Sequence, residues 1–136
     1  MKLFVVCSKK FYDRIPEIGS VLEDQGHIPT MPNCYDEPET EDRIRALGPE
    51  EHGRWKGAMI AHSERVIEES DGVLVLNFDK GAARNYIGGA TFLEMYDAFR
   101  LGKKIFLYND PPDGILRDEV VGFSPVVLKG DLSKVA

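Results

Sequence analysis

The stretch Asn85-Tyr86-Ile87-Gly88-Gly89-Ala90-Thr91-Phe92-Leu93-Glu94-Met95, preceded by Asp71-Gly72-Val73-Leu74-Val75-Leu76, decides the fold. The apolar run ending at Leu76 reads as a strand buried on both faces, and Phe92, Met95, Tyr96 and Phe99 recur at helical spacing after it. A glycine pair and a lone carboxylate therefore stand where a buried strand hands over to a helix. Open α/β sheets bind small ligands at such a place.

The same alternation extends in both directions. Leu3 to Cys7 is an apolar strand, and Ile15, Ile18 and Leu22 fall on one helical face, with Asp13 as the expected N-cap and Gly26 as the stop. Ile28 to Met31 is short and bracketed by prolines, which predicts an edge strand. The Pro-, Asp- and Glu-rich segment from Pro32 to about Pro49 reads as an excursion over the site, with a helical turn or two around Glu41 to Leu47. From about Glu50 to Glu69 the stripe Trp55, Met59, His62 and Val66 predicts a longer helix. Gly102 fits a helix cap, Ile105 to Tyr108 a fourth strand, Ile115 to Val121 a short helix and Val126 to Leu128 a fifth strand. The expectation is one α/β domain over residues 1–136, with a five-stranded parallel sheet in the order 2-1-3-4-5 covered by helices on both faces.

Composition narrows the function. A net charge of -6, with basic residues in pairs such as Lys9-Lys10 and Lys103-Lys104, argues against a nucleic-acid polymer as partner. No apolar run approaches the ~20 residues that cross a bilayer, and the start is too short in apolar residues for a signal peptide, so a cytoplasmic protein without membrane contact is expected. Cys7 and Cys34 suit a reduced compartment and read as ordinary thiols. With those cysteines and His27, His52 and His62 scattered over separate segments, no metal site is expected.

Asp71-Gly72-Val73-Leu74-Val75-Leu76, the Gly88-Gly89 loop, Glu94, Gly102-Lys103, the strand ending in Cys7-Ser8, and Gly26-His27 leading to Pro32 together resemble the nucleoside 2-deoxyribosyltransferase family and its nucleoside 5'-monophosphate N-glycosidase relatives. The resemblance spans most of the chain. It implies a flavodoxin-like three-layer sandwich and a small-molecule nucleoside or nucleotide substrate. No cofactor is implied; family members complete their pockets with a neighbouring subunit, so the resemblance allows a homodimer or higher homo-oligomer, for which Trp55 or the tail around Phe123 are candidate interfaces. It also implies that Glu94 attacks the anomeric carbon, the base leaves, and the glycosyl ester passes to water or to a second base. Two departures stand out: the family's base-handling Asp is replaced by His62-Ser63-Glu64, and its glycines lie closer to the catalytic Glu than Gly88 and Gly89 do to Glu94.

Each residue also has a plainer reading. Thr91-x-x-Glu94 matches a helix capping box, and on a helical wheel Glu94 lies opposite the apolar stripe. His62 is either a packing residue or the acid that protonates a departing base. Gly88 and Gly89 either offer backbone amides to an anion or permit a tight turn. Ser8, Lys9 and Tyr12 after the first strand, and Asn77 and Asn85 after the third, are the expected substrate binders, with solvated loops as the alternative. A non-catalytic nucleotide-binding module is the rival to an enzyme.

Overall fold

The computed structural model describes all 136 residues. Five parallel strands, β1 (Lys2–Val6), β2 (Ile28–Thr30), β3 (Gly72–Val75), β4 (Lys104–Leu107) and β5 (Val126–Val127), form one sheet in the order β2-β1-β3-β4-β5. The helices are α1 (Ile15–Asp24), α2 (Thr40–Leu47), α3 (Pro49–Glu68), α4 (Gly89–Arg100) and α5 (Arg117–Gly122). Every strand pairing is parallel, with Val5 opposite Leu74 and Leu74 opposite Phe106.

Alternation along the strands divides the core. Leu3, Val5, Leu74 and Phe106 point to one face and pack on Ile15, Ile18 and Leu22 of α1 and on Leu132 and Val135 of the tail. Phe4, Val6, Val73 and Val75 point to the other and pack on Ile67 of α3, Met95 and Ala98 of α4 and Val120 of α5. This is the expected α/β three-layer sandwich, consistent with a flavodoxin-like fold. No helix is long and apolar enough to cross a membrane.

Helix ends follow local chemistry. Gly26 (φ 87°) and Gly102 (φ 69°) take the left-handed conformation just beyond α1 and α4. There His27 N reaches Leu22 O and Lys103 N reaches Ala98 O, closing the last turns as the two glycines allow. At the start of α1 the expectation was wrong. Asp13 is not a cap: a 3₁₀ helix (Lys9–Arg14) precedes α1 and runs into it, and its own N-cap is Ser8, whose Oγ accepts from Lys10 N.

The buried face of α4 is also rotated from the expected one. Thr91, Met95 and Ala98 are buried, whereas Tyr96 and Phe99 are about half exposed. Large aromatic side chains biased the wheel; small Thr91 and Ala98 are what let the helix lie close to the sheet. Gly72 has a similar purpose in β3, because a Cβ there would stand 2.7 Å from the Lys104 carbonyl oxygen.

Candidate active site

Because the strand order reverses between β1 and β3, their carboxyl ends border one crevice. A cavity of about 400 Å³ lies there. Its walls come from the end of β1 (Cys7, Ser8), the 3₁₀ helix (Lys9, Tyr12), the segment after β2 (Asn33, Cys34), α2 and α3 (Glu41, Trp55, Lys56, Ser63) and the start of α4 (Gly88, Gly89, Glu94, Asp97).

Glu94 sits on the side of α4 that turns toward α3. Its Oε2 accepts a 2.8 Å hydrogen bond from Ser63 Oγ, and Ser63 is only 3% exposed. The capping box does not form: Gly88 is the N-cap of α4, Thr91 lies inside the helix, and no side chain caps its start. Glu94 is neither solvated nor turned back on its own helix. Its Oε1 has no protein partner, and since no buried side-chain polar atom is unpaired, that oxygen is open to the cavity. Burial pushes the Glu94 carboxyl up to about 7; the Ser63 hydrogen bond and Lys56 pull it down, and Asp97 pushes it up.

Of the expected binders, Ser8, Lys9, Tyr12, Gly88 and Gly89 line the cavity with Glu94. Neither glycine has positive φ: Gly88 is extended (φ -82°) and Gly89 begins the helix. Their value is space. A Cβ on Gly89 would meet nothing within 4 Å, and one on Gly88 would stand 3.2 Å from the Tyr86 hydroxyl. No side chain caps the first amides of α4, at the positive helix end, and both glycines line the cavity.

Three expected residues are not in the wall. His62 is exposed on the far side of α3, because the buried stripe of that helix runs through Ser63 and Ile67, about 100° round from it. Asn77 is fully buried and joins two loops: its Nδ2 donates to the carbonyls of Asn109 (3.3 Å) and Asp110 (2.9 Å), and its Oδ1 accepts from Asn109 N (2.8 Å). Asn85 sits at φ 52° with its amide bound to Asp79 Oδ1, shaping the turn that delivers Tyr86 to the cavity. Asn and Asp tolerate the left-handed region and make such local bonds, which is what the polar loop reflects.

Sequence reasoning missed Ser63, Asn33, Lys56 and Asp97. Asp97 follows Glu94 by one helical turn and also lines the cavity; burial and Glu64 push its carboxyl up against the opposing pull of Arg100 at 3.6 Å. Lys56 Nζ lies 3.1 Å from Glu41, which also meets His52 at 2.9 Å. Burial would raise Glu41, but the His52 and Lys56 hydrogen bonds outweigh it and hold the carboxyl low. The i,i+3 spacing of Glu94 and Asp97 was the one legible signal among these. The Cys7 thiol is not reactive by ionisation: burial, then Glu94, pushes it up to about 12.

Phe123 packs on Phe92 and Phe99, both at 5.5 Å between ring centroids, and Trp55 belongs to the cavity wall. No group of three or more His, Cys, Asp or Glu side chains is placed to hold a metal ion. No family model, no curated protein and no solved structure matches this chain significantly.

Proposed function

We propose that the protein cleaves or transfers the N-glycosidic bond of a nucleoside or nucleotide, with Glu94 as nucleophile. The observation that carries this reading is a carboxylate at the switch-point cavity, one oxygen held by Ser63 and the other open. A carboxylate with a raised pKa is a better nucleophile once ionised, and its negative charge opposes the positive charge of an oxocarbenium-like transition state.

In this reading Oε1 of Glu94 bonds to the anomeric carbon as the carbon–nitrogen bond breaks, and the base departs with the bonding pair and takes a proton. Asp97, in the same wall and with its carboxyl raised by burial, supplies that proton. Water or a second base then attacks the same carbon, gives its proton to the Asp97 carboxylate, and the carbon–oxygen bond to Glu94 breaks with its electron pair to free the carboxylate. A volume of about 400 Å³ is of the size that holds a small ligand. Lys9, Lys10 and Lys80 line it, which suits a phosphate on the sugar.

The test is base release from a panel of nucleosides and 5'-nucleotides by the native protein and by Glu94→Ala. Release that depends on Glu94 supports the reading; equal residual activity removes Glu94 from the mechanism. The lysines and uncapped amides favour a second reading, a nucleotide-binding module without turnover. A ligand that raises the melting temperature yet is recovered intact after long incubation selects it.

A further inference from the structure

Asn33, Ser63 and Glu94 come from three separate parts of the chain and form one line of hydrogen bonds. Asn33 Nδ2 donates to Ser63 Oγ at 2.8 Å, and Ser63 Oγ donates to Glu94 Oε2 at 2.8 Å. The direction of the line follows from a third contact. Asn33 Nδ2 also reaches the backbone carbonyl of Met59 at 3.4 Å, and a carbonyl can only accept. The atom between Met59 and Ser63 is therefore the amide nitrogen, since the opposite orientation would set oxygen against oxygen. Ser63 must then accept from Asn33, and its single proton is left to point at Glu94.

We infer that Asn33 is a positioning residue for Glu94: through Ser63 it holds a donor on Oε2, so that the carboxylate is favoured in its ionised form with Oε1 free for the ligand. The assignment of Glu94 as nucleophile rests on the proposed function; the hydrogen-bond relay itself does not. Tyr12 steadies the start of the line, its hydroxyl donating to the Asn33 carbonyl at 3.3 Å. The segment bearing Asn33 is thus tied both to the 3₁₀ helix and to α3.

A serine hydroxyl can donate to an ionised carboxylate or accept from a protonated one through either of its two lone pairs. With one lone pair engaged by the Asn33 N–H, the Ser63 proton is biased toward Glu94 and the ionised carboxylate is favoured. The relay opposes the burial that raises the Glu94 carboxyl, in the same direction as Lys56 and against Asp97; Cys7 and Tyr12 also face Glu94 and remain neutral through the range concerned.

The experiment is an NMR titration of the full chain that follows the Glu94 carboxyl carbon and the Asn33 side-chain amide together. In the native protein the Asn33 resonances should move with the Glu94 midpoint, and Glu94→Gln should abolish that movement. In Ser63→Ala, Glu94 should titrate at higher pH while Asn33 no longer follows it. Asn33→Asp, which reverses the Ser63 proton, and Asn33→Ala, which frees it, should each raise the Glu94 midpoint, by about half a unit or more. Asn33 resonances that stay flat while native Glu94 titrates overturn the relay, as does an unchanged Glu94 midpoint in a folded Asn33→Ala protein. The native-protein arm is decisive even if a variant does not fold. Absence of base release would defeat the glycosidic reading and leave this titration untouched, so the two failures are distinguishable.

Discussion

Ser63 and Glu94 lie 31 positions apart on neighbouring helices and meet through a 2.8 Å hydrogen bond at the wall of the crevice between the end of β1 and the loop that follows β3. That contact turns a carboxylate which sequence pattern would leave in solvent into a half-buried group facing a ligand-sized space. The helix pair α3–α4 is therefore the frame of the site as well as one layer of the sandwich.

Burial of Glu94 has a cost that pH reveals. Its carboxyl rises from 4.5 to about 7 on folding, so the unfolded chain ionises first. The Glu94 contribution to stability is complete below about pH 4.5, falls as pH rises through the window, and is lowest above about 7, a loss on the order of 3 kcal/mol. Glu94→Gln should remove the slope. Melting temperatures of both proteins from pH 4.5 to 8 check this, and the variant should be the more stable one at pH 8.

Asp97 should matter most for bases that need a proton to leave. Asp97→Asn is expected to slow release of an ordinary purine about 10²-fold or more, while a 7-methylpurine nucleoside, whose base already carries positive charge, should react nearly as before. Parallel rates on both substrates check it; equal slowing would assign Asp97 a structural role.

His62→Ala should leave both melting temperature and base release within about twofold of the native values, because the side chain is exposed and outside the cavity. A large loss of activity would bring His62 back into the mechanism.

Asn77→Ala should destabilise the fold by about 2–4 kcal/mol, since it strands the Asn109 amide and the carbonyls of Asn109 and Asp110 between two loops. Urea unfolding measures the loss. Ligand affinity of the protein that remains folded should change little.

The architecture was legible because it rests on long-range regularities. Val73 to Leu76 and Ile105 to Leu107 are apolar throughout, as strands covered on both faces must be, and Gly26 and Gly102 mark helix ends through their backbone freedom. The cavity wall was legible at Glu94, Gly88, Gly89, Ser8, Lys9 and Tyr12, which the switch-point rule brings to one crevice. It failed at His62, where one step along a helix turns a side chain through about 100°, and the buried stripe ran through a small polar serine instead. Asn77 and Asn85 failed for a different reason: a polar loop residue beside a crevice can serve the loop itself, and both do. Ser63 and Asn33 carry no local signal, because their meeting depends on which helices pack together.

The most direct measurement is a search for the covalent intermediate. Rapid acid quench during turnover of a reactive nucleoside or nucleotide, followed by proteolysis and mass spectrometry, should find the glycosyl mass on the peptide containing Glu94, and none in Glu94→Gln. Base release that proceeds unchanged in Glu94→Gln, with no adduct on that peptide in the native protein, would contradict the account.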